Sequence, residues 1–209
     1  MCTKNQSCKK NEQGGKRMKT DIILAGVGGQ GILTIAATLG AAALNENYFL
    51  KQAETHGMSQ RGGEVVSHLR ISDKPVFSDL IPLGTADLIL SVEPLESLRY
   101  LSYLKKDGCL VTNITEFRNI SNYPELKKMF SEIEKKVKTV QIDADEIARK
   151  CGNPKASNMV MLGAASPFIS IPENVIVDAI ATVFQAKGQK VVELNQQAFK
   201  EGRHFALAE

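Results

Sequence analysis

The chain has no cysteine pair of the CxxC kind and no Cys/His grouping with zinc-ligand spacing; its four cysteines stand apart at Cys2, Cys8, Cys109 and Cys151. A metal ion or iron–sulfur cluster needs several thiolate or imidazole ligands at short range, so none is expected to be held by this chain alone. Cys109 opens a strand-like run and reads as a small buried apolar residue. Long apolar runs are missing as well. The longest, residues 32–44 and 160–171, are too short for a bilayer span and are interrupted by Thr, Ser or Pro. No apolar region follows the polar, lysine-rich first residues, so no secretory signal is expected and the cytoplasm is the expected compartment. An excess of one charge is also lacking. A net charge of +3, with no basic stripe interleaved with aromatics, gives nucleic acid nothing to hold.

What is present is an ordinary globular composition, 43% apolar and 23% charged over 209 residues, enough for one α/β domain with a sizeable core. Residues 1–19 are rich in Lys, Asn, Gln and Gly without apolar periodicity, the composition of a disordered extension, with Met18 a candidate start. The domain is expected to span residues 20–209.

Residues 21–31, DIILAGVGGQG, organise the rest. The apolar run at 22–25 has the length and branching of a buried parallel strand, and it stops at a glycine cluster before an Ala- and Leu-rich segment of helical length. Gly26, Gly28 and Gly31 fall on the GxGxxG spacing, in which the glycines permit a tight turn, close backbone approach to a phosphate, and helix-on-strand packing. The helix from Ile32 to about Leu44 would aim free N–H groups and its positive dipole end above the loop. Packing alone, without a ligand, would use the same glycines. A dinucleotide site also needs an acidic side chain about 20 residues further on. Lys51 and Gln52 stand there, with Glu54 the nearest carboxylate, which argues against NAD.

Beyond the helix, residues 48–53 read as a second strand. A polar, glycine-punctuated loop at 54–63 follows, costly to order unless it touches something. Residues 64–71 alternate, with Val65, Ser67, Leu69 and Ile71 on one face and Glu64, Val66, His68 and Arg70 on the other. A turn at 72–75 and a short return strand at 76–78 predict an antiparallel hairpin. Further strands are expected at 86–92, 109–113 and 139–142, with helices at 95–104, from Pro124 to about Val137, and at 144–151, 156–165, 173–186 and 192–199. The expected fold is α/β: a Rossmann-like open, mostly parallel sheet with an antiparallel hairpin insertion and a helical C-terminal part.

The opening at 21–31, the segment AETHGMSQRGGEVVSHLRI at 53–71, and the stretches 158–164 and 191–195 together resemble the gamma subunits and gamma domains of the 2-oxoacid:ferredoxin oxidoreductases. Within that family the second segment is similar to the small subunit of the indolepyruvate branch. It lacks the Pro-Glu-x-Arg-Gly form of the pyruvate and 2-oxoglutarate branches. The resemblance implies a subunit of an enzyme that decarboxylates aryl 2-oxoacids such as indole-3-pyruvate, joins the acyl group to coenzyme A and passes electrons to ferredoxin. It implies that thiamine diphosphate and the iron–sulfur clusters belong to a larger partner subunit, which agrees with the missing cluster cysteines. Gly26, Gly28, Gly29 and Gly31 match the family's turn, and His56, Gly57, Gln60, Arg61, Gly62 and Gly63 match its second motif.

Physically, Arg61 offers a planar fork of donors for a phosphate, or else an ion pair tying the loop to its own domain or the partner. His56 is a candidate proton carrier or a structural hydrogen bonder, and His68 a structural one. The expected coenzyme A phosphate contacts are Gly26, Gly28, Gly29, Gln30, Gly31 and Arg61. His56, Gly57, Ser59, Gln60, Gly62 and Gly63 are expected to form the loop or the partner interface. Turn and loop are expected to converge because each follows one of two neighbouring strands. Two other readings stay open: a stand-alone NAD(P)-binding oxidoreductase and a non-catalytic docking module.

Overall fold

The computed structural model describes residues 18–57, 62–118 and 122–209. One sheet is built from β1 (Lys19–Val27), β2 (Phe49–His56), β3 (Glu64–Ser72), β4 (Ala86–Ser91), β5 (Leu104–Asn113) and β6 (Lys138–Ile142), in the order β2-β3-β1-β4-β5-β6. β1, β4, β5 and β6 pair in parallel, while β3 runs antiparallel to both of its neighbours, β1 and β2. Only β3 is reversed, so the sheet is mostly parallel, as the sequence pattern requires. The helices are α1 (Ile32–Asn45), α2 (Pro94–Arg99), α3 (Leu126–Glu134), α4 (Ala144–Lys150), α5 (Ser157–Ala165), α6 (Glu173–Phe184) and α7 (Gln189–Ala208). No helix among the described residues is long and apolar enough to cross a membrane.

Side chains alternate across each strand and feed two apolar layers. Ile22, Leu24, Leu88, Leu90, Val111 and Ile142 pack on one face beneath α1, α5, α6 and α7. Ile23, Ala25, Ile89 and Leu110 pack on the other, against Ile81, Tyr100 and the Met129, Phe130 and Ile133 stripe of α3. In β3, Val65, Leu69 and Ile71 join the first layer and Val66 the second, the alternation read from the sequence.

The hairpin is real but joins different strands: β3 pairs with β2, and residues 76–78 form no strand. A strand has two hydrogen-bonding edges, and those of β3 are already occupied by β1 and β2. The 73–85 segment is instead held by backbone bonds at its ends, Asp73 N–H to Met18 O (3.1 Å) and Gly84 N–H to Ser102 O (2.9 Å), and by side chains between them. Arg70 Nη1 donates to the carbonyls of Ser78 (3.1 Å) and Leu80 (3.0 Å), and Ile81 N–H donates to His68 Nδ1 (3.1 Å). That bond needs a neutral imidazole, and burial, followed by the Arg70 charge, holds the His68 pKa below its usual value. His68 is therefore structural. Arg70 also forks onto the fully buried Asp21, Nε to Oδ1 at 2.9 Å and Nη2 to Oδ2 at 3.1 Å.

Other boundaries move, and β5 starts at Leu104 rather than at 109. The helix expected at 95–104 stops at Arg99, and the last helix runs past 192–199 at both ends. Arg203, inside that extension, pairs with Glu173 (2.9 Å) and donates to Ser166 Oγ (2.8 Å). α5 and α7 cross with backbone almost touching backbone. A methyl on Gly163 would overlap the Phe199 carbonyl oxygen, and one on Gly202 would overlap that of Val160.

Candidate functional site

In the order β2-β3-β1-β4-β5-β6, the connection after β1 leads to one side of the sheet and the strands from β4 onward lie on the other. The switch point therefore falls between the C-terminal ends of β1 and β4, where open α/β sheets collect ligands. The glycine turn sits there. Val92 N–H donates to Ala25 O (2.9 Å), so the two strand ends are tied together, and a Cβ on Gly26 would collide with the Val92 side chain. Gly26 is thus needed for packing. Gln30 folds back, its Oε1 accepting from Val27 N–H at 2.8 Å, which closes the turn. Gly29 and Gly31 hold φ of +96° and +81°, conformations that a side chain would strain.

Gly28 differs from the rest. It is exposed, its φ is not positive, and among the described residues a Cβ there would meet only Gly63 O, at an ordinary 3.8 Å. The fold does not require a glycine at 28, whereas close approach of a ligand to the backbone would. α1 begins at once, with Gly31 as N-cap, no side-chain capping bond and no acidic residue in its first turn. Its positive end and first N–H groups are left for something else.

The expected convergence of turn and loop is present in part. Gly28 N–H donates to Gly63 O at 3.0 Å, and Gly57 N–H to Glu64 O at 2.8 Å. β1 and β2 are not neighbours, however; β3 lies between them, so the two ends meet through the start of β3. His56 belongs to β2 rather than to the loop, and its Nε2 lies against a Glu54 carboxylate oxygen. Ser59, Gln60 and Arg61 lie outside the described residues, while Gly57, Gly62 and Gly63 fall within them. A cleft of about 490 Å³ is bounded by Gly28, Gly29, Gly31, Thr34, His56 and Val65.

A second cleft, of about 760 Å³, opens on the other side of the turn, between Gly29, Gly31 and Thr34 and residues of α5 and α7. Asn158 joins its walls: Nδ2 donates to Gly31 O (3.3 Å), across 127 positions of sequence. The stretch beginning at Asn158 is legible as a family likeness, but nothing in the sequence alone gives Asn158 a partner. A polar residue at the head of an apolar helix was the available signal.

Strand order bears on the dinucleotide question too. With β3 interposed, the end of β2 stands two strand spacings from β1, roughly 10 Å. Glu54 is engaged by His56 and by Gln52 Nε2 (3.4 Å). Calorimetric titration of the chain with NAD or NADP is expected to show no tight binding, and a dissociation constant in the low micromolar range would contradict this. Cys109 is buried, and burial pushes its thiol up to about 11, as a small core residue requires.

A doubly wound sheet with an uncapped, glycine-opened helix at its switch point defines an α/β protein that presents backbone N–H groups to an anionic ligand. The chain belongs to the family described as pyruvate ferredoxin/flavodoxin oxidoreductase, whose sequence profile matches residues 21–205. It is 38% identical to the indolepyruvate oxidoreductase subunit IorB of Thermococcus kodakarensis, over 87% of this chain and 93% of that one. The subunit of the same name from Archaeoglobus fulgidus is 36% identical, over 91% and 97%. The fold is shared with 2-oxoglutarate:ferredoxin oxidoreductase from Magnetococcus marinus, a structure with 2-oxoglutarate, coenzyme A and succinyl-CoA bound (TM-score 0.76, 23% identity, 93% of this chain). This chain spans only 32% of that longer one. Pyruvate oxidoreductase subunit PORC of Thermotoga maritima also shares it (TM-score 0.67, 22% identity, 90% of this chain and 96% of that one).

Proposed function

We infer that this chain is the small subunit of a 2-oxoacid:ferredoxin oxidoreductase acting on aryl pyruvates, with indole-3-pyruvate the leading substrate, in the cytoplasm. Kinship to the IorB subunits supports the branch. In the reaction the oxoacid loses carbon dioxide, its acyl group forms a thioester with coenzyme A, and the two electrons released pass to ferredoxin. Thiamine diphosphate and the iron–sulfur clusters are assigned to the larger partner subunit. On this reading the catalytic-subunit domain, expected at 20–209, takes in Lys19 as the first residue of β1 and follows an N-terminal extension.

The part given to this chain is to hold coenzyme A while its thiol approaches the partner's centre. Gly28 carries that reading, being a glycine at the helix-opening turn that backbone geometry does not demand. A coenzyme A phosphate at the turn would accept from α1's free N–H groups beside Gly29 and Gly31, with the Arg61 guanidinium as a further donor. Gly26 and Gln30 shape the turn from behind. His56, Gly57, Ser59, Gln60, Gly62 and Gly63 would line the side that faces the partner.

The division of labour is tested by turnover. Purified alone, the chain is expected to reduce no ferredoxin with indole-3-pyruvate, coenzyme A and thiamine diphosphate. Co-expressed with the larger subunit it is expected to gain that activity. Turnover by the single chain would overturn the assignment.

A further inference from the structure

The 73–85 segment has no part in the reading above, yet the fold holds it firmly. Connections in compact domains mostly run about 4 to 6 residues, and stretches of about a dozen or more without helix or strand are mostly functional or disordered. This one is fixed. Backbone bonds tie its ends to Met18 O and Ser102 O, and Arg70 and His68 tie its middle. Arg70 is in turn forked onto the fully buried Asp21. An ion pair inside the fold therefore sets the course of one surface loop.

What the loop presents is apolar. Ile81 is 2% exposed and packs into the second layer, whereas Phe77 is 94% exposed, Leu80 57% and Leu83 64%. A single exposed leucine is ordinary. Three large apolar side chains within 77–83, on backbone too firmly held to fold over them, are not. Phe49, 46% exposed, adds to them. It pairs with Ser72, from which the loop departs, and by strand alternation it shares a face with Arg70. Together the four leave on the order of 400 Å² of apolar surface in water. A standard interface takes about 800 Å² from each partner, a little over half of it non-polar. The loop and Phe49 thus supply most of the apolar share of one such interface.

The uncovered surface continues along β2. In the second layer α2 lies over β1, β4 and β5, and α3 over β6; the helix packed on β2 is α1, on the opposite face. Beyond Phe49 on the same face, Ala53 and Thr55 are half-buried, and the strand ends at His56, next to Gly57 and close to the turn. One strip therefore joins the loop to the C-terminal edge of the sheet. We propose that this strip, centred on Phe77, Leu80 and Leu83, is where the larger subunit docks, a proposal that rests on the two-subunit reading above. A partner that brings its thiamine centre to the turn covers the C-terminal edge, and the bare face of β2 carries the contact on to the loop. A second copy of this chain seated there would bring no thiamine site to that edge.

The test is assembly of the full chain with the co-expressed larger subunit. The native pair is expected to co-purify as a stable complex. The triple variant Phe77→Ser/Leu80→Ser/Leu83→Ser is expected to bind the larger subunit about a hundred-fold more weakly or worse, measured by interferometry. Its own thermal unfolding should match the native chain's, because none of the three side chains belongs to either core layer. Leu207→Ser, as exposed as Leu83 at 64% but near the end of α7, should assemble as the native chain does. A folded triple variant with native affinity overturns the proposal. So does a dimer of the native chain in sedimentation that the triple variant loses while still binding the larger subunit, since the loop then belongs to a second copy. Failure of the native pair to assemble would instead overturn the two-subunit reading itself.

Discussion

Gly163→Ala is expected to lower the melting temperature by roughly 6 to 12 °C, the equivalent of about 3 kcal/mol for a chain of this length. The added methyl would overlap the Phe199 carbonyl oxygen and lie 2.8 Å from its carbon and 2.9 Å from Arg203 N, all backbone atoms of α7. A side chain could rotate away, but a helix backbone cannot, so α5 and α7 must separate. Their Gly163 and Gly202 contacts make this a two-sided close approach, and both helices border the larger cleft. Gly40→Ala in α1 serves as the control. Its methyl meets only the end of Leu50, at 3.2 Å, and alanine is the better helix former, so the variant should be neutral or slightly stabilised. Thermal unfolding of the two variants is the measurement. A Gly163→Ala protein that melts within two or three degrees of the native chain would show the crossing to be looser than described.

What the sequence shows well is local. The buried strand at 22–25, the turn after it and the helix from Ile32 follow from run length, glycine spacing and periodicity, and the structure places all three there. The two faces of β3 follow from simple alternation. The return strand at 76–78 fails because strand pairing depends on which edges remain free, and β1's claim on β3 is invisible locally. The same blindness made β1 and β2 neighbours: alternation says a strand exists but not its place in the order. α7 runs past its expected 192–199 at both ends, and Gly202, inside that extension, is the contact that lets α5 approach.

At the site the pattern repeats. The glycines were legible from spacing, which gave the second of them, Gly28, the approach to a phosphate; backbone angles and Cβ surroundings add that Gly26 is needed for packing against Val92 and that Gly28 is not. Asn158 escapes because its partner is 127 residues away.

The central claim, that the turn at 26–31 receives coenzyme A, is tested most directly by Gly28→Ala in the enzyme assembled with its larger subunit. The substitution needs no strained angle and meets only an ordinary contact among the described residues, so the melting temperature should stay near that of the native enzyme. A methyl at that point would hold a phosphate off α1's N–H groups. Losing a charge-assisted contact of about 1.5 to 3 kcal/mol corresponds to roughly a ten- to hundred-fold loss of affinity. In steady-state assays of ferredoxin reduction, the Michaelis constant for coenzyme A is expected to rise by about that factor while the one for indole-3-pyruvate stays unchanged. An assembled, stable Gly28→Ala enzyme with an unaltered Michaelis constant for coenzyme A would contradict the claim.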